Sequence, residues 1–390
     1  AELDVPGLAE KRPSLISGDI VKIRLHEDHT AYRGIIKTVN DLNIWIQGLS
    51  KELLDCIEDN PDLELDVAFQ LSRLPYERMH GGIDKCVNNS MVDYLFPEAT
   101  DRLLNLPPVQ RLPDHEFINT SIRTNAEQRA AVEHIIYGKH NVGPYIVFGP
   151  PGTGKTITIV EAILQLIRKN PNVVILVCAP ANAACDMLAS KLIQSGRLSR
   201  KELIRVHTDT RDWTSVPEDV KSYSNYVEMA FTKPKGFELM NYRVVITTLI
   251  LSGRYGNGDF EPDYLFIDEA AQAMEPEAVV AVGLLSPGKH VILAGDPKQL
   301  GPICMSARAE NYHLNVSLLE RLSKLPLYES GNNNFITTLK LNFRAHPEVL
   351  QIPNELFYGN QLKESSTEKG TISCRILCNF CKRNAARTIA

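Results

Sequence analysis

Hydrophobic and polar residues alternate along four segments in the first part of the chain. These segments lie at residues 20–25, 34–39, 42–47 and 63–71. Because the side chains of a β-strand point alternately to its two faces, this alternation is typical of strands with one buried face. The dipeptide Asn40-Asp41, between the second and third segments, is a typical two-residue hairpin connection. We therefore predict a small β-barrel domain over residues 1–105.

A different pattern begins near residue 118, where short segments without polar residues alternate with segments of helical character. The apolar segments lie at residues 145–148, 173–178, 243–247, 264–267 and 290–294. Strands that are apolar on both faces are typical of a parallel sheet covered by helices on both sides. We predict a doubly wound α/β domain over residues 118–334, preceded by a proline-containing linker at residues 106–117.

The last part of the chain starts another folded unit and ends in a tail. Residues 335–365 contain a strand-like segment at 335–341 and a helix candidate at 347–357. The tail, residues 366–390, holds three closely spaced cysteines, Cys374, Cys378 and Cys381. Their spacing suggests zinc, but structural zinc sites use four ligands and a fourth is not evident.

The composition is that of an ordinary globular chain. Of its 390 residues 44% are hydrophobic and 23% charged, and the net charge is −5. An acidic balance gives no general indication of nucleic-acid binding, so any such surface is expected to be local. No apolar run approaches the about 20 residues that a membrane span needs. The eight cysteines form no disulfide framework, which favours a reducing, cytoplasmic compartment.

One run of eight residues predicts a nucleotide site. The run consists of Gly149, Pro150, Pro151, Gly152, Thr153, Gly154, Lys155 and Thr156. It fits the G-x-x-x-x-G-K-[ST] pattern between a strand and a helix, where glycines let the backbone surround phosphates and amide N–H groups face the anion. Lys155 is expected to reach the β- and γ-phosphates, and the Thr156 hydroxyl to ligate Mg²⁺.

Two adjacent carboxylates supply the second element that nucleotide chemistry needs. Asp268 and Glu269 follow the apolar segment 264–267. In a parallel sheet this position faces the phosphate loop. We predict that Asp268 holds Mg²⁺, directly or through water, and that Glu269 acts as general base on the attacking water.

Two glutamines are weaker candidates. Gln299 follows a strand and a Gly-Asp-Pro turn, which suits a loop that senses the γ-phosphate, although the same composition is common in ordinary turns. Gln128 precedes the phosphate loop, and its amide has the donor and acceptor that reading an adenine edge requires. Considered alone, it is better explained as a residue on a helix surface.

The order of these elements resembles that of superfamily 1 helicases. The segments that carry the resemblance are residues 148–156, 268–277, 293–302 and 341–347, with 4–10 and 12–19 near the N-terminus. They are most similar to the Upf-like RNA helicases, in the branch of Armitage and the Moloney-leukemia-virus-ten-like proteins. The resemblance covers about residues 1–365 and leaves the tail outside it.

This resemblance implies a fold, cofactors and further site residues. It implies a RecA-like domain that binds ATP with Mg²⁺, an accessory β-barrel, and a second RecA-like domain that begins at residue 335 and is incomplete. Arg344 matches an arginine that stabilises the γ-phosphate, and Phe343 matches an aromatic residue near the base. The residues implied to contact nucleic acid are Pro180, Asn182, Ala183, Thr247 and Thr248. Ala181 stands where the family usually has serine, so no hydroxyl contact is expected there.

The resemblance also implies partners, while the chain itself leaves two other functions open. Single-stranded RNA and proteins of small-RNA silencing are the implied partners. Because the further motifs of the second motor domain are missing, we expect this chain alone to show little ATP hydrolysis. A non-enzymatic, nucleotide-dependent RNA-binding or scaffold module is the main alternative. A ring-forming ATPase is a third reading, against which the segments at 293–302 and 341–347 argue.

Overall fold

The computed structural model describes residues 1–365 apart from several short gaps. The gaps are residues 7, 9–14, 16–17, 26–29, 61–62, 105, 139–141, 257, 305 and 330–333. The three cysteines of the predicted tail lie outside the described residues.

The elements alternate along the chain much as the apolar pattern predicts. Residues up to 104 contain β1 (Glu2–Asp4), β2 (Ile20–Leu25), β3 (Ala31–Val39), β4 (Asn43–Gln47), α1 (Lys51–Asp59), β5 (Leu65–Gln70), α2 (Leu74–Asn88), α3 (Val92–Leu95) and α4 (Asp101–Leu104). Residues 126–239 contain α5 (Ala126–Tyr137), β6 (Tyr145–Phe148), α6 (Lys155–Lys169), β7 (Ile175–Ala179), α7 (Asn182–Gln194), β8 (Leu203–Arg205), α8 (Glu218–Lys221), β9 (Tyr226–Val227), β10 (Ala230–Phe231) and α9 (Gly236–Leu239). The remainder contains β11 (Val244–Thr248), α10 (Leu249–Ser252), β12 (Tyr264–Ile267), α11 (Glu275–Val282), β13 (His290–Gly295), α12 (Ala307–Glu310), α13 (Leu318–Ser323), β14 (Ile336–Thr338), β15 (Leu341–Asn342), α14 (Pro347–Phe357) and β16 (Lys363–Glu364).

The first of two compact units is built on an antiparallel sheet. It comprises residues 1–78, 207–217 and 226–232. Its five strands lie in the order β1-β4-β3-β2-β5. The alternating apolar residues form its core, in which Val21, Ile36 and Ile44 are fully buried. The hairpin predicted at Asn40-Asp41 joins β3 to β4.

The second unit contains the remaining residues around a parallel sheet. Its seven strands lie in the order β14-β6-β13-β12-β7-β11-β8. Every paired register in this sheet is parallel, so the carboxyl ends of its strands meet at one edge. The wholly apolar segments form its centre, and nearly all their residues are buried, as expected of strands covered on both faces. In open α/β sheets that edge is where ligands bind.

Two boundaries differ from those expected from the sequence. The N-terminal segment of the first unit ends at Arg78 and not at residue 105, because Cys86, Met91 and Tyr94 are buried in the hydrophobic core of the second unit. The strand-like segment at 335–341 divides into β14 and β15, and β14 pairs in parallel with β6. A strand that was expected in a further domain therefore forms the edge of this sheet.

No helix in the described ranges combines the length and apolar character that crossing a membrane requires. The longest helices, α2 and α6, have 15 residues each. A helix of 15 residues is about 22 Å long, less than the about 30 Å of a bilayer's hydrocarbon core.

Two adjacent glycines in α2 provide a direct test of the packing of this helix. A Cβ added at Gly82 would lie 2.7 Å from the Cα of Val280, whereas one added at Gly81 would have no neighbour within 4 Å. We expect Gly82→Ala to destabilise the protein by about 1–3 kcal/mol, because backbone cannot move aside cheaply. Gly81→Ala should stabilise it by about 0.5–1 kcal/mol through helix propensity. Denaturant midpoints of the two variants measure this, and equal midpoints would contradict the packing.

Candidate nucleotide site

The phosphate loop connects β6 to α6 at the carboxyl edge of the parallel sheet. Gly152 and Gly154 have φ values of +76° and +85°, which residues with a Cβ rarely adopt. Gly154 is also the N-cap of α6 and has no side chain to cap it. The first N–H groups of α6 therefore have no side-chain cap and are directed to the interior of the loop, where an anion is favoured.

Lys155 lies folded back over the loop. Its side chain is nearly buried, and its Nζ donates a hydrogen bond to the carbonyl of Gly149 at 2.7 Å. A Cβ at Gly149 would lie 2.4 Å from the Cγ of Lys155, so the glycine makes room for the lysine stem. The buried Thr153 hydroxyl donates to the carbonyl of Pro150 at 2.7 Å. These contacts hold the single cation of the loop at its centre.

The two carboxylates follow β12, two strands from β6 in the sheet. Asp268 is only 4% exposed. Burial, and secondly the charge of Glu269, raise the pKa of Asp268 from 3.8 to about 6. The backbone N–H of Glu269 donates to Asp268 Oδ1 at 2.9 Å and, with the charge of Lys155 and the Thr156 hydroxyl, partly opposes that rise. The structure thus brings the predicted acidic pair to the loop.

Glu269 has an unusual backbone conformation. Its φ of +50° lies in the left-handed region, which is strained for a residue with a long side chain. Its Oε2 accepts a hydrogen bond from Gln272 Nε2 at 3.1 Å. Its side chain is half-buried.

The side-chain oxygens at Asp268 and Thr156 are suitable ligands for a magnesium ion. The Thr156 hydroxyl is hydrogen-bonded to Asp268, so the two predicted ligands are already adjacent. Within the described residues no group of three or more His, Cys, Asp or Glu could hold a metal. Mg²⁺ is typically bound by one or two protein oxygens together with phosphate oxygens and waters, so this small set matches it.

Gln128 supports the loop from the side of α5. It is 1% exposed, and its Nε2 donates to Gly154 O at 3.2 Å and to Thr158 Oγ1 at 3.1 Å. Asn125 caps α5 by accepting from the N–H of Gln128 at 3.0 Å. The amide nitrogen of Gln128 thus donates both of its hydrogen bonds to protein atoms, Gly154 O and Thr158 Oγ1. The predicted contact with adenine stays a prediction, and bracing Gly154 is a role that the sequence did not indicate.

A turn after β15 packs against the opposite side of the loop. Asn342 Nδ2 donates to Pro151 O at 2.6 Å, and the N–H of Phe343 donates to Gly152 O at 2.8 Å. Asn342 Oδ1 also accepts from the N–H groups of Arg344 and Ala345. Arg344 and Phe343 are exposed beside Gly152 and Gly154 of the phosphate loop. Their implied contacts with the γ-phosphate and the base stay predictions. Asn342 was missed, although a polar residue directly before this pair is a usable indication.

Gln299 belongs to a small network around Asp296. Its Nε2 donates to Asp296 Oδ2 at 2.9 Å, and the Tyr358 hydroxyl donates to the same oxygen at 2.7 Å. The N–H of Lys298 donates to Asp296 Oδ1 at 2.9 Å. Gln299 is therefore linked to the end of α14 through one buried carboxylate. The sequence indicated Gln299 and the Gly-Asp-Pro turn that contains Asp296, but not Tyr358.

The residues expected to contact nucleic acid divide into two groups. Asn182 and Ala183 are exposed at the start of α7, and Pro180 is half-buried just before it. Thr248 is half-buried and lies opposite Ala179 in the register of β11 and β7. These residues share one edge of the sheet.

Thr247 does not fit that expectation. It is fully buried, and its hydroxyl donates to Val206 O at 3.2 Å. A one-residue step along a strand reverses the direction of the side chain, so Thr247 points into the core while Thr248 follows at the strand end. The structure gives Thr247 a packing role instead of a nucleic-acid contact.

Comparison with known proteins adds the family context of this site. A family model described as "Helicase MOV-10, beta-barrel domain" matches residues 1–69. Models described as "AAA domain" match residues 123–241 and 225–307, and residues 314–385. The predicted β-barrel followed by a RecA-like α/β fold is thereby confirmed.

Three relatives show how much of the chain is shared. It is 39% identical over 394 residues to "Putative helicase mov-10-B.1" of Danio rerio, covering 97% of this chain and 38% of the relative. It is 31% identical over 440 residues to "RNA helicase Mov10l1" of Homo sapiens, covering 93% and 35%. It is 29% identical over 421 residues to "Probable RNA helicase armi" of Drosophila melanogaster, covering 96% and 35%. The chain therefore spans less than two fifths of the length of these relatives.

The phosphate loop after β6, the carboxylate pair after β12 and the parallel sheet define a P-loop protein of the helicase class. The matches extend over both compact units and over nearly the whole chain. The chain belongs to the family of the MOV-10, Mov10l1 and Armitage helicases.

Proposed function

We propose that this chain forms the ATP-hydrolysing part of a helicase that moves along single-stranded RNA. The observation that carries the proposal is the convergence of Lys155, Thr156 and Asp268 on one phosphate loop, with the Asn342–Arg344 turn on its other side. Neighbouring cationic and anionic groups of this kind suit phosphoryl transfer, in which catalysis is mostly positioning and charge stabilisation.

Each side chain of the site has a distinct task in this proposal. The first N–H groups of α6 and the Lys155 ammonium bind the β- and γ-phosphates. Thr156 and Asp268 would hold Mg²⁺, which supplies charge neutralisation at the phosphate oxygens when it is bound. Glu269 accepts the proton of the attacking water, and Arg344 stabilises charge on the transferred phosphoryl group. Gln299 senses the γ-phosphate, and Phe343 packs near the base.

RNA contact is proposed along the edge formed by residues 180–183 and Thr248. This edge offers an uncapped helix start at α7 and a small number of polar side chains, and no row of exposed aromatic residues. Such a surface suits the backbone of a strand better than its bases. Binding is then expected to be tolerant of sequence. We also propose a place among the proteins of small-RNA silencing, which the resemblance of the sequence implies, and a cytoplasmic location, which its cysteine usage favours.

The test is phosphate release from ATP by the 390-residue chain, with Mg²⁺, in the presence and absence of single-stranded RNA. RNA-stimulated turnover would support the proposal, and it would contradict the expectation that this chain alone hydrolyses little ATP. RNA and nucleotide binding without turnover would favour the nucleotide-dependent RNA-binding module instead. Failure to bind ATP at millimolar concentration would contradict the nucleotide site itself.

The RNA half of the proposal has its own measurement, which is the dependence of binding on salt. Because contacts to phosphates release counterions, affinity for a single strand should fall steeply between 50 and 200 mM salt, with a slope of about −0.7 per phosphate contacted. Double-logarithmic plots of the dissociation constant of oligo-uridine measure this slope. A flat plot would contradict contact with the RNA backbone.

A further inference from the structure

The side chain of Arg205 is fully buried beneath the start of α7. It is the last residue of β8 and has no exposed surface. Its Nε donates to Asp186 Oδ1 at 2.9 Å, and its Nη1 donates to Val206 O at 2.7 Å. Its Nη2 donates to Asn182 Oδ1 at 2.8 Å. One buried guanidinium thus joins the sheet to a residue of the candidate RNA edge.

A buried cation of this kind requires a specific set of partners. Removing a charge from water is costly unless the charge is paired and hydrogen-bonded. Asp186 is 4% exposed in its side chain and balances the charge of Arg205. Buried ion pairs are often no more stabilising than apolar residues of similar volume. Stability alone therefore gives a weak reason for this pair, whereas its third contact, to Asn182, has a geometric consequence.

That consequence concerns the orientation of the Asn182 amide. A guanidinium has hydrogen-bond donors and no acceptor, so the Asn182 amide must direct its oxygen towards Arg205. The Asn182 Nδ2 group is the part of the amide left for a ligand, since Oδ1 is bound to Arg205 and the residue is exposed. An amide fixed in this way offers hydrogen-bond donors to its surroundings. Its ligand must be an acceptor, such as a phosphate or ribose oxygen.

The neighbouring backbone offers donors in the same place. Asn182 is the first residue of α7, and the N-cap residue Ala181 makes no side-chain hydrogen bond. The first N–H groups of this 13-residue helix are thus free of a side-chain cap. The Asn182 amide and these N–H groups together form a donor set that suits a strand backbone.

We propose that Arg205 is a positioning residue that fixes the Asn182 amide with its donors outward, and thereby sets the affinity of this edge for the RNA backbone. The inference rests on the proposed RNA-binding function. It assigns to a core arginine, 23 residues from Asn182 in sequence, a role in RNA binding without contact to RNA.

A double-mutant cycle tests the proposal. The probe is a fluorescein-labelled oligo-uridine of 12 nucleotides, and the readout is its dissociation constant by anisotropy. Asn182→Ala and Arg205→Lys are each expected to weaken binding about fivefold, the typical effect of one hydrogen bond. Lysine keeps the charge, but it lacks the planar set of N–H donors with which the guanidinium binds Asp186 and Asn182 in a fixed geometry. The double variant should bind no more weakly than Asn182→Ala, because Arg205 acts through that side chain.

Two controls separate positioning from a general loss of structure. Arg197→Lys, at an exposed arginine beyond the far end of α7, should leave RNA affinity unchanged. The affinity of Arg205→Lys for ATP should equal that of the wild type. If Arg205→Lys does not fold, Asn182→Asp is used in its place. The aspartate keeps one oxygen for Arg205 and presents a second oxygen, instead of the amide N–H donors, to the RNA. It should bind RNA more weakly than Asn182→Ala.

The outcomes distinguish this inference from the proposed function. Additive losses in the double variant, or Asn182→Asp binding as well as the wild type, would overturn the positioning role. Failure of the wild-type chain to bind RNA while it binds ATP would overturn the RNA function together with this inference. Non-additive losses with unchanged ATP affinity would support both.

Discussion

Substitution of Lys155 by methionine is expected to abolish ATP hydrolysis while leaving the fold intact. The Lys155 ammonium is the cation at the centre of the phosphate loop, and its stem packs against Gly149. Methionine keeps an unbranched stem of similar length and removes the charge. Loss of one preorganised charge-stabilising donor typically reduces kcat by about 10²–10³-fold, and here the affinity for ATP should fall as well. Phosphate release and the binding of a fluorescent ATP analogue measure the two effects.

Lys169→Met is the matched control for this prediction. Lys169 is the last residue of the same helix, is exposed, and contacts the ring of Tyr137. Its removal should cost at most about 1 kcal/mol of stability and leave turnover unchanged. If Lys155→Met retained turnover within tenfold of the control, the assignment of Lys155 to the phosphates would be wrong.

Asp268→Asn is expected to stabilise the nucleotide-free protein and to inactivate it at the same time. In the folded state the pKa of Asp268 is about 6, above its ordinary value of 3.8. The folded protein therefore binds the proton more tightly than the unfolded chain, and the ionised carboxylate destabilises the folded state above pH 6. A difference of about 2 pKa units corresponds to roughly 3 kcal/mol. An asparagine carries no charge, so at pH 7.5 the variant should melt at a higher temperature.

The pH dependence gives this prediction its sign. As the pH falls from above 6 to about 4, the wild-type protein should lose the penalty at Asp268, and its melting temperature should approach that of the variant. Asp296→Asn serves as the contrasting control. Asp296 accepts hydrogen bonds from Lys298, Gln299 and Tyr358, so its replacement should destabilise the protein. A lower melting temperature for Asp268→Asn at pH 7.5 would contradict the origin of the pKa shift.

The central strands and the phosphate loop could be predicted from the sequence because each is determined by residues that are close together in the chain. The structure has β6 and β12 at the bounds that their apolar runs indicate. The loop at 149–156 is recognisable from its glycines and its lysine. In each case the residues that determine the structure are adjacent in the chain. A strand buried on both faces consists almost entirely of apolar residues, and this composition is easy to recognise in the sequence.

Other features depend on contacts that no local pattern records. β8 has only three residues, too few for a periodic pattern. The pattern at 335–341 indicates a strand but not the sheet it joins, and β14 lies beside β6 across almost 190 residues of chain. The direction of Thr247 depends on where β11 ends. The bond of Arg205 to Asn182 and that of Asn342 to Pro151 link side chains to distant partners, which periodicity cannot show.

The pairing of β14 with β6 affects how this protein can be divided. β6 is wholly apolar and would become the edge of the sheet in a chain cut at residue 334, the boundary that its sequence suggests. An exposed, apolar edge strand with unpaired N–H and C=O groups is a template for the addition of further strands from other chains. A shortened protein of that kind would carry an aggregation-prone strand next to its phosphate loop. The short strand Ile336–Thr338 protects the central sheet from self-association.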